Sequence, residues 1–149
     1  MYYFEDVEKQ KELKAILDSW VDTPYRHHCG VKGLGCDCMH LLARVFQELG
    51  LLVWRKNMIP EYPADWHLHN TEERLLRGIK RELDVEEVSN LRNGDIMLFH
   101  FGKASSHSAI YFDGHIYQAE TDIGVRRVQW PDKKWAKRRK YTLRVRSAK

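Results

Sequence analysis

Cys38 is the residue of this sequence best placed to act as a nucleophile. It follows the glycine-punctuated stretch 33–35 and starts an apolar run whose spacing predicts one buried helix face. We therefore expect a helix from Cys38 to Leu49, with Asp37 as its N-cap and Gly50 as the residue that ends it. The free N–H groups and the positive dipole end of a helix lower the pKa of a thiol in its first turn. The sequence thus predicts a thiolate at Cys38, and thiolates attack carbonyl carbons.

A cysteine nucleophile requires a base within hydrogen-bonding distance and a third group that orients the base. Of the eight histidines, His107 is the best candidate because it begins a predicted strand directly after the polar stretch 103–106. Catalytic groups often lie where a loop meets a regular element. The rival base is His100, but its position beside Phe99 favours a structural role.

The dipeptide Asp113-Gly114 predicts how the strand of His107 pairs with the next strand, because two-residue hairpin turns prefer it. Side chains alternate along strands, so this register would place His107 on the same face as Gln118 and Glu120. The Gln118 side-chain carbonyl is then expected to accept a hydrogen bond from one imidazole nitrogen and leave the other for the thiol. Glu120 is an alternative orienting group. One extra residue in the turn would reverse these faces.

Each chemical interpretation has a structural alternative. Taken alone, Cys38 fits a buried core cysteine as well as a nucleophile. Cys29 and Cys36 are expected to be packing thiols. A zinc site is the further possibility, but the cysteine spacing lacks the usual paired Cys-x2-Cys. We therefore predict no metal and no cofactor. The ligands of such a zinc site would come from Cys29, Cys36, His27, His28 and His40.

The elements that would position these residues change in type along the chain. Apolar periodicity predicts a helix from about Asp6 to Val21, and a loop is expected from Arg26 to Gly35. Residues 51–70 read as a long ordered loop, and Thr71 is expected to cap a further helix. Strands follow, so helices first and an antiparallel sheet second predict an α+β fold. The predicted strands are Asp95–Phe99, His107–Phe112, His115–Glu120, Gly124–Trp130 and Lys140–Arg146.

Composition indicates one globular domain over residues 1–149. We expect no signal peptide, because the N-terminus lacks a basic start followed by an apolar run, and no membrane span. Three cysteines are an odd number, which argues against a disulfide framework. The net charge of +4 owes much to the basic run 133–140, which we interpret as a solvated face. Nucleic acid is not expected as a partner, since no recognition motif accompanies that run.

Several short motifs occur in the order and spacing of one known family. Thr23-Pro24-Tyr25 precedes the glycine-rich loop, and Asp37-Cys38 opens a helix. This order resembles the NlpC-type cell-wall cysteine peptidases over roughly residues 10 to 146. The loop before the cysteine and a Tyr-Pro-x-x-Trp segment are similar to the short branch encoded in phages and prophages. The remaining matching segments are Asn93–Phe99, His107–Tyr111, Ile116–Ala119 and Tyr62–Trp66.

The resemblance implies a papain-like fold, in which N-terminal helices pack on a C-terminal antiparallel β-sheet. It implies Cys38 as nucleophile, His107 as base and Gln118 at the third polar position, which is commonly histidine. The implied substrate is a peptidoglycan stem peptide cut beside D-glutamate, often before diaminopimelate. Candidate oxyanion and substrate-binding residues are Tyr25, Asp37, Met39 and Glu120.

The sequence departs from the family pattern directly after the nucleophile. Many relatives have Ser-Gly or Leu-Gly there, whereas this chain has Met39-His40. Because the small or hydroxyl residue helps to shape the substrate pocket of those relatives, the peptide preference is expected to differ.

Two other functions remain open from the sequence. The first is a thiol amidase or acyltransferase acting on a lipid or another amide, and the second is a non-catalytic zinc-binding structural or phage tail-assembly protein. For a peptidase we expect synthesis in the cytoplasm without a signal peptide and action at the cell wall or periplasm. Delivery by a virion, with phage tail proteins as partners, is one such route.

Overall fold

The computed structural model describes residues 1–61, 63, 65–69 and 73–147, and its first half is helical. After a short 3₁₀ turn at Tyr3–Glu5, helix α1 spans Val7–Trp20. The Asp6 carboxylate caps this helix by accepting a hydrogen bond from the Glu8 backbone N–H at 2.9 Å. The predicted apolar face is buried, with Leu13, Leu17 and Trp20 in the core.

Helix α2 spans Cys38–Glu48, which confirms the predicted nucleophile helix to within one residue. Gly50 has a φ of 78°, the left-handed conformation that glycine adopts after a helix end. The loop expected from Arg26 to Gly35 contains two short strands that the sequence did not predict. Strands β1 (Gly30–Val31) and β2 (Gly35–Cys36) form a small antiparallel hairpin that leads directly into α2.

Two further helices follow α2. Within the segment predicted as a loop, α3 forms a single turn at Trp66–His69. Helix α4 spans Arg74–Glu82 and buries Leu75 and Ile79, as its spacing predicts. The expected helix cap, Thr71, lies outside the described residues. The same is true of two residues of the Tyr-Pro-x-x-Trp segment, Tyr62 and Ala64.

A six-stranded sheet forms the second half of the chain. Its strands are β3 (Asp84–Glu87), β4 (Ile96–Phe101), β5 (Ala104–Phe112), β6 (His115–Glu120), β7 (Gly124–Gln129) and β8 (Arg139–Ser147). They lie in the order β3-β8-β4-β5-β6-β7, with every neighbouring pair antiparallel. The five predicted strands are therefore confirmed; β6 has the predicted ends, and the other four differ at one or both ends. The prediction missed β3, because three of its four residues are acidic and it lies at the sheet edge, where charged residues are common.

The two faces of the sheet are both covered. Helices α1, α2 and α4 pack on one face, where Leu98, Ile110 and Tyr117 belong to the main core. A smaller apolar cluster lies on the other face and contains Phe99 and Trp135. Trp135 comes from helix α5, Lys133–Ala136, which lies inside the basic run predicted as a solvated face. None of the helices in the described ranges is long and apolar enough to cross a membrane.

The hairpin between β5 and β6 has the predicted register. Asp113 and Gly114 form the turn with positive φ angles of 45° and 74°, and Phe112 pairs with His115. At the other end of β5, a bulge inserts Ser106 between positions that pair with β4. Bulges occur next to active sites because they redirect neighbouring side chains and carbonyls.

Candidate active site

Cys38 occupies the first residue of α2 and is 7% exposed. Its Sγ lies 3.4 Å from the carbonyl oxygen of Ser106, the bulged residue of β5, so the thiol donates to that oxygen. From the same strand, the Ser108 hydroxyl donates to the Cys38 carbonyl oxygen at 3.2 Å. These two contacts hold the start of α2 against β5.

His107 forms the hydrogen bond that the hairpin register predicts. Its Nε2 atom lies 2.8 Å from Oε1 of Gln118, a side chain with no exposed surface. Because a carboxamide oxygen can only accept, Nε2 carries the proton and Nδ1 remains an acceptor. The bond thus selects the tautomer that a general base requires.

Aromatic rings enclose the His107 imidazole. Trp135 is stacked on it, with ring centroids 4.6 Å apart and an interplanar angle of 24°. Phe99 lies at 5.6 Å and Phe101 meets the imidazole edge-on at 6.4 Å. The imidazole therefore lies against apolar rings that exclude water and so disfavour its charged form.

Cys38 and His107 are both neutral at pH 7, so the predicted thiolate at Cys38 is wrong. Burial, followed by the negative charge of Asp37, raises the pKa of the Cys38 thiol to about 12, against the hydrogen bonds with Ser108 that lower it. Burial lowers the pKa of His107 to about 4; the Gln118 bond opposes this change and the Lys134 charge adds to it. The helix dipole is outweighed because the thiol is removed from water beside a carboxylate.

Cys38 and His107 line the same cleft, whose volume is about 290 Å³. Tyr25 also lines it, and an isolated bridge to Cys36 fixes the Tyr25 backbone beside the hairpin that precedes α2. Burial raises the pKa of Tyr25 to about 12, although a hydrogen bond with Thr121 opposes the rise. Its hydroxyl is therefore protonated at neutral pH and can donate to an oxyanion.

One family of known proteins matches most of the chain. The sequence pattern of the NlpC/P60 family matches residues 22–144. The chain belongs to the NlpC/P60 family. The function of this family is of the cell-wall peptidase type, and peptidoglycan is the material on which it acts.

One solved relative shows the same fold. A Staphylococcus aureus protein described as similar to a lipoprotein of the NLP/P60 family superimposes with a TM-score of 0.65 at 20% sequence identity. The match covers 95% of this chain and 42% of the staphylococcal chain, so the present chain spans less than half of that protein. This likeness confirms the α+β papain-like architecture. No curated protein matches the sequence.

Asp37 directly precedes Cys38 in the chain and is not among the residues that line the cleft. It is 1% exposed, and its carboxylate accepts hydrogen bonds from the backbone N–H groups of His28 at 2.7 Å and His40 at 2.8 Å. The Nδ1 atom of His40 lies 2.8 Å from the same carboxylate. Instead of the predicted substrate contact, Asp37 has a positioning role between the preceding hairpin and α2.

The other two predicted binding residues have different locations. Met39 lines a separate apolar cavity of about 270 Å³ between α2 and α4, so the structure does not bring it into the cleft. Met39 follows Cys38 on the helix, and its side chain packs against the main core. Glu120 does line the cleft, but its carboxylate lies 3.4 Å from Arg126, and Gln118 takes the orienting position on His107.

The rival base and the zinc alternative are not supported by the described residues. The His100 backbone pairs at the bulge, where its N–H donates to the Arg138 carbonyl oxygen at 2.7 Å, and His100 is not among the residues that line the cleft. His40, a candidate zinc ligand, is bonded to Asp37. Across the described ranges, no group of three His, Cys, Asp or Glu side chains is arranged to hold a metal ion.

Three residues of the site were missed from the sequence. Ser106 contacts Cys38 through a bulge that no sequence signal marks, and Ser108 contacts it from the regularly paired part of the same strand. Trp135 covers the base, and the signal that could have found it is a single tryptophan inside the basic run 133–140. The Trp135 ring is buried, which explains why a large apolar residue occurs among lysines.

Proposed function

We propose that this chain is a cysteine peptidase that hydrolyses the D-glutamyl-diaminopimelate amide bond of peptidoglycan stem peptides. The observation that carries this proposal is one cleft lined by Cys38 and His107, with the imidazole fixed by Gln118 through a 2.8 Å hydrogen bond. A thiol, a base and a group that orients the base are the parts that nucleophilic amide hydrolysis requires. Family membership supplies the substrate class.

The first step begins from the neutral pair. As the Cys38 sulfur attacks the amide carbonyl carbon, His107 Nδ1 takes the thiol proton, and the carbonyl oxygen becomes an oxyanion. The Cys38 backbone N–H and the Tyr25 hydroxyl are the donors for that oxyanion. The imidazolium then protonates the leaving nitrogen, the C–N bond breaks, and a thioester forms on Cys38.

The second step releases the acyl product. His107, neutral again, takes a proton from water as the water oxygen attacks the thioester carbon. The thiolate leaves and regains its proton from the imidazolium. Gln118 keeps the ring orientation throughout both steps because its carbonyl accepts from Nε2 in either protonation state of Nδ1.

We also propose the cell wall as the place of action. The exposed basic run that includes Lys133, Lys137 and Arg138 supports attraction to an anionic wall. Association with phage tail proteins and delivery by a virion rest on the sequence resemblance alone. A detergent-free pull-down of the chain on purified sacculi tests the wall binding.

The catalytic proposal is tested with defined muropeptides and product identification by mass spectrometry. Wild type is expected to release the D-glutamate-terminated fragment, and Cys38→Ala and His107→Ala are expected to release none. The matched controls are Cys29→Ala and His100→Ala, which remove the same side-chain types outside the cleft and should retain activity. Equal product from wild type and Cys38→Ala overturns the nucleophile. An acyl-enzyme on Cys38 from lipid or other amides, without muropeptide cleavage, favours the amidase or acyltransferase alternative.

A further inference from the structure

Lys134 places a positive charge in the wall of the candidate active site. It lines the same cleft as Cys38 and His107. Its Nζ atom lies 4.9 Å from the centroid of the Trp135 ring, and that ring is stacked on His107. The ammonium group therefore flanks the base, unlike the other lysines of the basic run.

The backbone that carries Lys134 is fixed. The Asp132 carboxylate caps α5 by accepting hydrogen bonds from the backbone N–H groups of Lys134 at 2.9 Å and Trp135 at 3.3 Å. Trp135 is 7% exposed and anchors the same turn in the apolar cluster. The direction in which the lysine side chain leaves the backbone is thus set by a cap and a buried ring.

The charge of Lys134 is not compensated within the described part of the chain. The carboxylate of the cleft, Glu120, is paired with Arg126 at 3.4 Å, whereas the Lys134 contact is with an aromatic ring. Among the described residues, Lys134 is the one lysine or arginine that lines the cleft, so an ammonium group without an ion-pair partner lies beside His107. Such a site attracts an anionic group of a ligand.

This cation also works against the reaction when the cleft is empty. The proposed mechanism puts a proton on His107, and a positive charge nearby disfavours the imidazolium; with burial, it holds the pKa of His107 low. A substrate anion beside Lys134 offsets that repulsion at the moment when the proton is transferred. An anionic substrate should therefore bind more tightly and also react faster in the chemical step.

We propose that Lys134 is a specificity-determining residue that binds a substrate carboxylate on the leaving-amine side of the scissile bond. The leaving-amine side follows because His107 protonates the leaving nitrogen and Lys134 flanks His107. This inference rests on the proposed function. In the stem peptide proposed there as substrate, the carboxylate that Lys134 binds is the side-chain carboxylate of diaminopimelate. Its loss removes one charge-assisted contact, which typically changes affinity by about tenfold.

Three synthetic tripeptides, L-Ala-γ-D-Glu-diaminopimelate and two amides of it, test the inference. One amide blocks the diaminopimelate side-chain carboxylate, and the other blocks the D-glutamate α-carboxylate. For wild type, we expect kcat/KM to fall about tenfold for the first amide only. For Lys134→Met the ratio between the free acid and that amide should approach one, and Lys134→Arg should keep the preference. Lys56→Met, which removes an exposed lysine charge outside the cleft, should behave as wild type.

The outcomes separate this inference from the proposed function. Equal cleavage of the acid and the diaminopimelate amide by wild type overturns the role of Lys134 while the peptidase function stands. Discrimination that persists in Lys134→Met, or that responds to the D-glutamate amide alone, also overturns it. Cleavage of none of the three tripeptides by wild type overturns the proposed function, and the inference with it.

Discussion

The indole of Trp135 is stacked on the imidazole of His107, with centroids 4.6 Å apart and ring planes inclined by 24°. The two residues come from elements that are distant in sequence, helix α5 and strand β5. Their contact keeps water from one face of the imidazole and contributes to the burial that lowers the pKa of His107 to about 4. This relationship connects a structural ring to the acid–base chemistry of the cleft.

Replacing Trp135 should change the pH dependence of the proposed peptidase activity. In Trp135→Ala, water reaches the imidazole, so the pKa of His107 should rise from about 4 toward its ordinary 6.5. Activity requires neutral His107, and the acidic limb of the kcat/KM profile should therefore move to higher pH by about one to two units. Trp135→Phe should move it less. Trp54→Ala, outside the cleft, is the control, and a lower rate with an unmoved limb would show that Trp135 only supports folding.

Gln118 should be replaceable only by residues that accept a hydrogen bond. Gln118→Leu removes the acceptor from His107 Nε2, and we expect kcat/KM to fall by about 100-fold or more because the tautomer and ring orientation are lost. Gln118→Glu keeps the acceptor and adds a negative charge, which raises the pKa of His107 and moves the acidic limb upward. Near-normal kinetics for Gln118→Leu, with an unchanged melting temperature, would contradict the orienting role.

The neutral resting pair has a consequence for alkylation. Because the pKa of the Cys38 thiol is raised to about 12, its reaction with iodoacetamide should be slow at pH 7 and accelerate by about tenfold per pH unit through pH 10. Mass spectrometry of timed samples measures the rate, and Cys38→Ala gives the background from Cys29 and Cys36. A fast, pH-independent reaction between pH 5 and 9 would instead indicate a thiolate–imidazolium pair.

The elements that local patterns specify were predictable from the sequence. Apolar periodicity located α2, and Asp113-Gly114 set the hairpin register that brings His107 to Gln118. What the sequence did not show depends on distant contacts: the bulge at Ser106 and the burial of Trp135. The pKa of Cys38 was predicted in the wrong direction for the same reason. A helix terminus is a local feature, whereas burial is a property of the folded chain.

Tyr25 should contribute to the rate through its hydroxyl alone. Tyr25→Phe keeps the ring in the cleft and removes one oxyanion donor, a loss that typically costs about 3 kcal/mol in the barrier, or roughly 100-fold in kcat. Steady-state kinetics on a cleaved muropeptide, with thermal melting of both proteins, measures the effect. Tyr111→Phe is the matched control, since Tyr111 packs in the smaller apolar cluster. A kcat within about twofold of wild type for Tyr25→Phe would remove the tyrosine from the mechanism.

Asp37 should affect both stability and rate, because it joins the hairpin before α2 to the helix that carries the nucleophile. Asp37→Ala leaves the buried N–H groups of His28 and His40 without their acceptor, and we expect the free energy of unfolding to fall by roughly 3 kcal/mol. The exposed N-cap Asp6 is the matched control, and Asp6→Ala should cost about 1 kcal/mol without altering kcat.

Although burial raises the pKa of Asp37, the hydrogen bonds and charge of His40 outweigh burial and lower it. On acidification, the unfolded state therefore binds the proton before the folded state does. The free energy of unfolding of wild type should exceed that of Asp37→Asn by its full amount above the ordinary aspartate pKa. This difference should shrink as the pH falls through the pKa of Asp37 in the folded protein. Urea unfolding at several pH values measures this difference, and an Asp37→Ala variant no less stable or active than Asp6→Ala would show that the carboxylate does not position Cys38.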